Sequence, residues 1–318
     1  MKLYLGIKSF SSGCIDGIEM RILLFGKNGQ VGWELQRSLA LLGEVLALGR
    51  SDYFPCGDLS NLKGIADTIQ RFRPDVIVNA AAYTAVDKAE QEQDLSWLIN
   101  VRAVEVMAIE SKKLGALLIH YSSDYVFSGD GSSWQKEEDI AAPINHYGLA
   151  KLASEEVITK FNPKSLIFRT SWVHSSRGAN FIKTILNIAK SKKEISVVDD
   201  QFGSPTSAEL IADCTAHVIR KVLPDNNHYG IYHLVSSGYT TWFDYAQFIM
   251  NHIDSANYLL NKINNITSSE YNMLARRPLN SRLNNRKFQE QFNLLLPDWQ
   301  FGVKRTLSEI EKACKEGK

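Results

Sequence analysis

The sequence predicts an α/β protein built on a doubly wound parallel sheet, and three observations carry that expectation. Short apolar runs recur along the chain, amphipathic stretches of helical period separate them, and a glycine-rich turn joins the first run to the first helix. Strands covered by helices on both faces read as continuous apolar runs, so this alternation means a parallel sheet. Taken in order, Arg21-Ile-Leu-Leu-Phe25 is the first strand, followed by the glycine turn and a helix over 30–42. A second strand covers 45–48, and a helix over 62–72 stops at Arg73-Pro74. Strand 76–79, helix 95–114 and strand 116–122 follow. A helix over 146–159 leads into strand 165–169.

After Thr170 the alternation weakens. The pattern predicts a helix over 180–191, a strand at 195–198 and a turn at Gln201-Phe-Gly-Ser-Pro-Thr206. Beyond these come a helix over 208–222, a strand over 230–235 and a helix over 241–252. Late insertions of this kind build a smaller C-terminal substrate-binding lobe over the carboxyl ends of the parallel strands, where such sheets bind ligands. The chain divides into an extension at 1–19, a dinucleotide-binding domain at 20–170 and mainly a substrate-binding lobe at 171–318. Some segments of the last part return to the first domain.

Composition excludes several classes. The 318 residues hold 36 Lys plus Arg against 35 Asp plus Glu, a net charge of +1. No basic excess points to nucleic acid or an anionic membrane. No apolar run reaches the roughly eighteen residues of a spanning helix. Cys14, Cys56, Cys214 and Cys314 form no C-x-x-C pair, which argues against a zinc knuckle or a disulfide framework and fits a reducing cytoplasm. Residues 1–19 lack the apolar core and cleavage site of a signal peptide, and Met20 directly precedes the first strand. They are expected to be a poorly ordered extension.

Gly26-Lys-Asn-Gly29-Gln-Val-Gly32 sits between the first strand and the first helix. Glycine is required there for positive φ, for close approach of backbone to a pyrophosphate and for helix–strand packing. The helix N-terminus then offers free N–H groups to phosphate. The spacing is one residue longer than G-x-G-x-x-G, and its placement reads as the Rossmann-type nucleotide turn. At the end of the second strand, where an acid usually takes the ribose 2′-hydroxyl, stand Gly49 and Arg50. A guanidinium there can grip a 2′-phosphate, which predicts NADPH, while nearby Asp52 leaves NADH open.

Tyr147 and Lys151 lie one turn apart on one helix face. An ammonium beside a phenol lowers its pKa, so the pair is expected to transfer protons. Upstream, His120-Tyr-Ser-Ser-Asp-Tyr-Val-Phe127 ends a strand, and Ser122 or Ser123 presents a hydroxyl to the same point.

These features resemble the extended short-chain dehydrogenase/reductases from Met20 to about Leu307. The resemblance rests on Ile22-Leu-Leu-Phe-Gly-Lys-Asn-Gly-Gln-Val-Gly-Trp-Glu-Leu35, Pro74-Asp-Val-Ile-Val-Asn-Ala-Ala-Ala82 and Thr84-Ala-Val-Asp-Lys-Ala-Glu90. It continues through Tyr121-Ser-Ser-Asp-Tyr-Val-Phe127, Phe168-Arg-Thr-Ser-Trp-Val173, Asp200-Gln-Phe-Gly-Ser-Pro-Thr206, Tyr232-His-Leu234 and Arg277-Pro-Leu-Asn-Ser-Arg-Leu283. It implies an enzyme that reduces the C4 ketone of dTDP-4-dehydro-L-rhamnose with NADPH or NADH. By the same resemblance Gln30 and Val31 cover the pyrophosphate and Asp58 and Leu59 lie near the adenine. Ala82, Tyr83, Thr84 and Tyr121 line the dinucleotide groove. Tyr147 is the implied proton donor and Lys151 holds the nicotinamide ribose, while Ser123, Asp124 and Trp172 meet the sugar. Ser123 stands where relatives often carry threonine. Gly49 replaces the aspartate of some relatives, which weakens an NADH preference. The family further implies a homodimer with Mg2+ held at its interface by glutamates, matched here by Glu34 and Glu209 and by Glu309. Two rivals share the glycine turn: a nucleotide-sugar epimerase, and a non-catalytic regulatory subunit like that of methionine adenosyltransferase.

Overall fold

The computed structural model describes residues 20–225, 227–271 and 273–316, so the extension expected at 1–19, with Cys14, lies outside the described residues. In chain order the strands are β1 (Arg21–Phe25), β2 (Glu44–Leu48), β3 (Val76–Asn79), β4 (Leu117–Ser123) and β5 (Ser165–Thr170). Then come β6 (Val173–His174), β7 (Glu194–Val198), β8 (Phe202–Gly203), β9 (Thr206–Ser207), β10 (Gly230–His233), β11 (Thr240–Thr241) and β12 (Lys262–Ile266). The helices are α1 (Gln30–Leu39), α2 (Leu62–Phe72), α3 (Val86–Ala89), α4 (Gln93–Trp97), α5 (Ala103–Leu114) and α6 (His146–Phe161). They continue as α7 (Phe181–Ala189), α8 (Ala208–Asp225), α9 (Trp242–Asn251), α10 (Arg286–Phe292) and α11 (Trp299–Glu316).

Alternation along β1 shows why the sheet is wound on both faces. Ile22 and Leu24 point to one layer, where they pack with Leu35 and Leu39 of α1, Ile211 and Val218 of α8, and Phe288 and Phe292 of α10. Leu23 and Phe25 point to the other, against Ile65 and Ile69 of α2 and Val104 and Met107 of α5. Six parallel strands follow in the order β10-β5-β4-β3-β1-β2. The winding reverses between β1 and β3, and the crevice outside their carboxyl ends is where such a sheet takes a ligand.

The later elements split. β10, α8 and α10 return to the sheet, while α7, α9 and α11 enclose a separate core of Ile182, Ile185, Tyr245, Ile249, Trp299 and Val303 beside the parallel pair β7–β12. The helix expected over 95–114 is interrupted by a π-helical turn at Leu98–Arg102. Cys56 and Cys214 are buried free thiols. Among the described residues no helix is long and apolar enough to cross a membrane.

Candidate active site

The three glycines divide their work. Gly26 has φ +92°, and a Cβ there would stand 2.7 Å from the Ala80 backbone, so the turn lies pressed against the loop after β3. A Cβ on Gly32 would stand 2.0 Å from the Gly26 carbonyl, which lets α1 pack directly on the turn. Gly29 caps α1 with φ −74° and no side-chain hydrogen bond, leaving the first N–H groups of the helix to face a ligand.

A groove of about 600 Å³ runs across the carboxyl ends of the strands. Gly26, Gly29, Gln30 and Val31 line its middle, and Arg50, Asp58 and Leu59 line the end over β2. Ala82, Tyr83 and Thr84 form the wall after β3, and Tyr121, Tyr147 and Lys151 close the far end. The Gln30 amide accepts from Asn180 at 2.8 Å, joining the turn to the second lobe. Tyr83 is held by its backbone, which exchanges hydrogen bonds of 2.8 and 3.0 Å with the Asn100 amide. Asn100 sits in the π-helical turn, a common place for functional side chains.

Asp52 departs from the sequence reading. Its carboxylate accepts from Lys27 Nζ at 2.6 Å and from the Gly49 N–H at 2.7 Å, and it is not among the groove-lining residues. The Lys27 ammonium holds it below the usual carboxylate range. It is therefore not free to take a ribose hydroxyl. The exposed Arg50 is the cationic side chain among the residues described at this end of the groove, beside the half-buried Asp58.

At the far end, Asn145 caps α6 by accepting from the Gly148 N–H at 2.8 Å, which orients Tyr147 and Lys151. Lys151 is buried, and its Nζ donates to the Tyr121 carbonyl at 2.6 Å and lies 3.1 Å from His120 Nε2. Burial lowers its pKa to about 8, opposed by the nearby Glu155 charge. Tyr147 is half-buried and packs edge-on against Tyr125. Burial and then the Asp124 charge push its phenol up to about 12, opposed by a hydrogen bond with Ser123. The expectation that Lys151 lowers the Tyr147 pKa is thus corrected. One N–H of the ammonium goes to the Tyr121 carbonyl, and burial and the Asp124 charge, not Lys151, set the phenol.

The two serines separate by strand alternation. Ser122 donates to Glu155 Oε1 at 2.5 Å inside the fold. Ser123 bonds Asp124 Oδ1 at 2.8 Å and Tyr147, on the reactive side. Asp124 is buried, and burial raises its pKa to about 6 against hydrogen bonds from Ser281 and Ser123. Trp172 holds φ +47°, an unfavoured conformation for a bulky residue, and stacks on Trp242 with centroids 3.5 Å apart. Gly203 makes room for it: a Cβ there would stand 2.4 Å from the Trp172 ring.

Within one chain the glutamates implied for magnesium lie beside arginines. Glu209 is paired with Arg305 at 2.6 Å, Glu34 lies 3.6 Å from Arg37, and Glu309 lies 3.7 Å from Arg305. Among the described residues no three His, Cys, Asp or Glu side chains converge on a common point. A hard cation needs several oxygens, and the family implies them from both chains of a dimer, with Arg37 and Arg305 the neighbours of these glutamates within one chain.

A glycine turn at the switch point of a doubly wound sheet, leading to a tyrosine, a lysine and a serine, defines a dinucleotide-dependent oxidoreductase of the Rossmann type. The family described as RmlD substrate binding domain matches residues 20–312. The chain is 53% identical over 293 residues to the dTDP-4-dehydrorhamnose reductase of Escherichia coli K12, covering 92% of this chain and 98% of that one. It is 42% identical to the dTDP-4-dehydrorhamnose reductase of Burkholderia thailandensis, over 89% of this chain and 97% of that one. The crystal structure of a Bacillus anthracis dTDP-4-dehydrorhamnose reductase in complex with NADP superposes with a TM-score of 0.82 at 33% identity, covering 92% and 100% of the two chains. The chain belongs to the RmlD family of dTDP-4-dehydrorhamnose reductases.

Proposed function

We propose that the protein reduces the C4 ketone of dTDP-4-dehydro-L-rhamnose to dTDP-L-rhamnose, the last step of dTDP-L-rhamnose synthesis, with NADPH as an external cofactor. The observation that carries this reading is the meeting of Tyr147 and Lys151 at one end of a groove that begins at the glycine turn, with the Ser123 hydroxyl hydrogen-bonded to Tyr147. The cofactor, when bound, supplies the hydride. Gln30 and Val31 cover its pyrophosphate, Asp58 and Leu59 lie by the adenine, and Lys151 holds the nicotinamide ribose. Tyr147 is the general acid: a phenol near pKa 12 remains protonated at every working pH and gives its proton only to an oxygen that has become strongly basic. Ser123 hydrogen-bonds that developing alkoxide, and Asp124 and Trp172 hold the sugar.

An epimerase would return the hydride and keep its dinucleotide, whereas a reductase releases it. Absorbance spectra of the purified protein test this: the expected protein carries no tightly held dinucleotide, and stoichiometric bound NAD would overturn the reductase reading. A regulatory subunit would bind NADP without turning over the sugar, and the matching motifs of the second lobe favour the reductase. In the same reading the protein is a homodimer, supported by the family resemblance, and cytoplasmic, for which the buried free thiols Cys56 and Cys214 speak.

Arg50 and Asp124 give two tests. Arg50→Ala is expected to remove a roughly ten- to hundredfold preference for NADPH in kcat/KM, the value of losing charge-assisted bonds to a 2′-phosphate, with NADH turnover little changed. Equal use of both cofactors by the wild type would mean that Arg50 faces solvent. Asp124→Asn is expected to reduce turnover yet raise stability at pH 7.5. The folded carboxyl holds its proton up to about pH 6 and the unfolded one only to 3.8, so wild-type stability falls as pH rises through that window. The variant escapes a loss on the order of 2–3 kcal/mol. Melting curves at pH 4 and 7.5 that show no such divergence would contradict the buried carboxylate.

A further inference from the structure

Tyr147, Lys151 and Glu155 are spaced four apart on α6, so a third ionisable side chain shares the reactive helix face. Glu155 is 2% exposed and touches both strands that end in the site. Its Oε1 accepts from Ser122 of β4 at 2.5 Å and from Arg169 Nε of β5 at 3.0 Å, and its Oε2 accepts from Arg169 Nη2 at 2.7 Å. Arg169 is 3% exposed, lies over the Phe127 ring at 4.9 Å and reaches the Glu137 carbonyl at 3.4 Å. Ser122 and Arg169 face each other in register, and the next pair along the ladder is Ser123 and Thr170, where the strands open onto the site.

A buried ion pair is poor evidence of a stabilising role, since an apolar pair of similar volume often serves as well. A forked, two-point bond with a serine on a third corner does something an apolar contact cannot: it fixes the rotation and height of one helix over two strands. We infer that Glu155, locked between Ser122 and Arg169, is the positioning residue of the reactive helix and sets where Lys151 and Tyr147 stand above β4 and β5. The inference rests on the roles given above to those two side chains. Its carboxylate is also the charge that supports the Lys151 ammonium against burial. The other ionisable groups around the assembly are His120 of β4, Asp124 just after it, Glu137 in the loop before α6, His233 of β10 and Lys287 of α10. Burial keeps His120 and His233 neutral, and of the remaining charges Glu155 is the one that bears on the Lys151 ammonium, while Asp124 bears on Tyr147 and Arg169 and Lys287 on His233.

The test compares Glu155→Gln with the double variant Glu155→Met plus Arg169→Met, which replaces the ion pair with apolar volume. Melting temperature, NADPH affinity by fluorescence titration, kcat and the pH profile of kcat/KM are read for each. The double variant is expected to melt near the wild type yet lose about tenfold to a hundredfold in kcat, because small misplacements of reacting groups have effects of that size. Both variants are expected to bind NADPH about tenfold more weakly and to move the basic limb of the profile down by about one pH unit, as Lys151 loses its supporting charge. A double variant that folds with wild-type kcat, limb and NADPH affinity would overturn the inference. So would a Glu155→Gln variant with an unmoved limb and unchanged affinity. NADPH affinity does not depend on the sugar, so a wild type inactive on the dTDP-sugar would refute the substrate assignment while the affinity arm still judges Glu155.

Discussion

Tyr147→Phe is expected to lose about 10²–10⁴ in kcat, the range that positioned general acids contribute, while NADPH binds as in the wild type. Phenylalanine keeps the ring and its edge contact with Tyr125, so the groove retains its shape and only the donated proton is removed. Single-turnover measurements with NADPH and the dTDP-sugar check this. Near wild-type turnover would assign the proton to another group. The pH profile adds a second reading of the same residue. A phenol near 12 lies beyond the working range, so any basic limb near pH 8 belongs to Lys151: activity is retained while its ammonium is protonated and falls as pH rises past about 8.

Lys151→Met is expected to be nearly as damaging, with about 10²–10³ lost in kcat and roughly a tenfold rise in the KM for NADPH, the value of one charge-assisted hydrogen bond. The ammonium is held by the Tyr121 carbonyl and His120 where the groove closes, so its loss removes a ribose contact as well as a positive charge. Methionine fills the buried volume, and circular dichroism is expected to show a folded protein. A change confined to the sugar KM would place Lys151 away from the cofactor.

Much of this was legible in the sequence, for physical reasons that also mark where it was not. β1, β3, β4 and β5 are buried on both faces, and burial on both faces writes an unbroken apolar run. β12, Lys-Ile-Asn-Asn-Ile, pairs among the described residues with β7 alone and keeps polar residues, so no such run exists. The two-residue strands β6, β8, β9 and β11 are too short to carry a period, and α10, with seven residues, barely completes two turns. In the site, spacing brought Tyr147 and Lys151 onto one helix face, but the direction of an ammonium is a tertiary property. Lys151 reaches the Tyr121 carbonyl, and burial and then the Asp124 charge raise the Tyr147 phenol, neither of which the spacing displays. Ser122 and Ser123 are equivalent in a string of letters and opposite across a strand. Asp52 reads as a free acid until Lys27 and the Gly49 N–H are seen to hold it. Asn100 carries no motif, because its role depends on a π-helical turn that only the backbone displays. Glu155 gave a faint signal, the next step of the same four-residue spacing, and its partners Ser122 and Arg169 come from distant strands.

The most direct measurement is NADPH oxidation by the purified protein with enzymatically made dTDP-4-dehydro-L-rhamnose. The expected result is one NADPH consumed per dTDP-L-rhamnose formed, with NADP released and with Tyr147→Phe nearly inactive in the same assay. No oxidation of NADPH, or conversion of the sugar without its consumption, would contradict the assignment of this site as a C4 reductase.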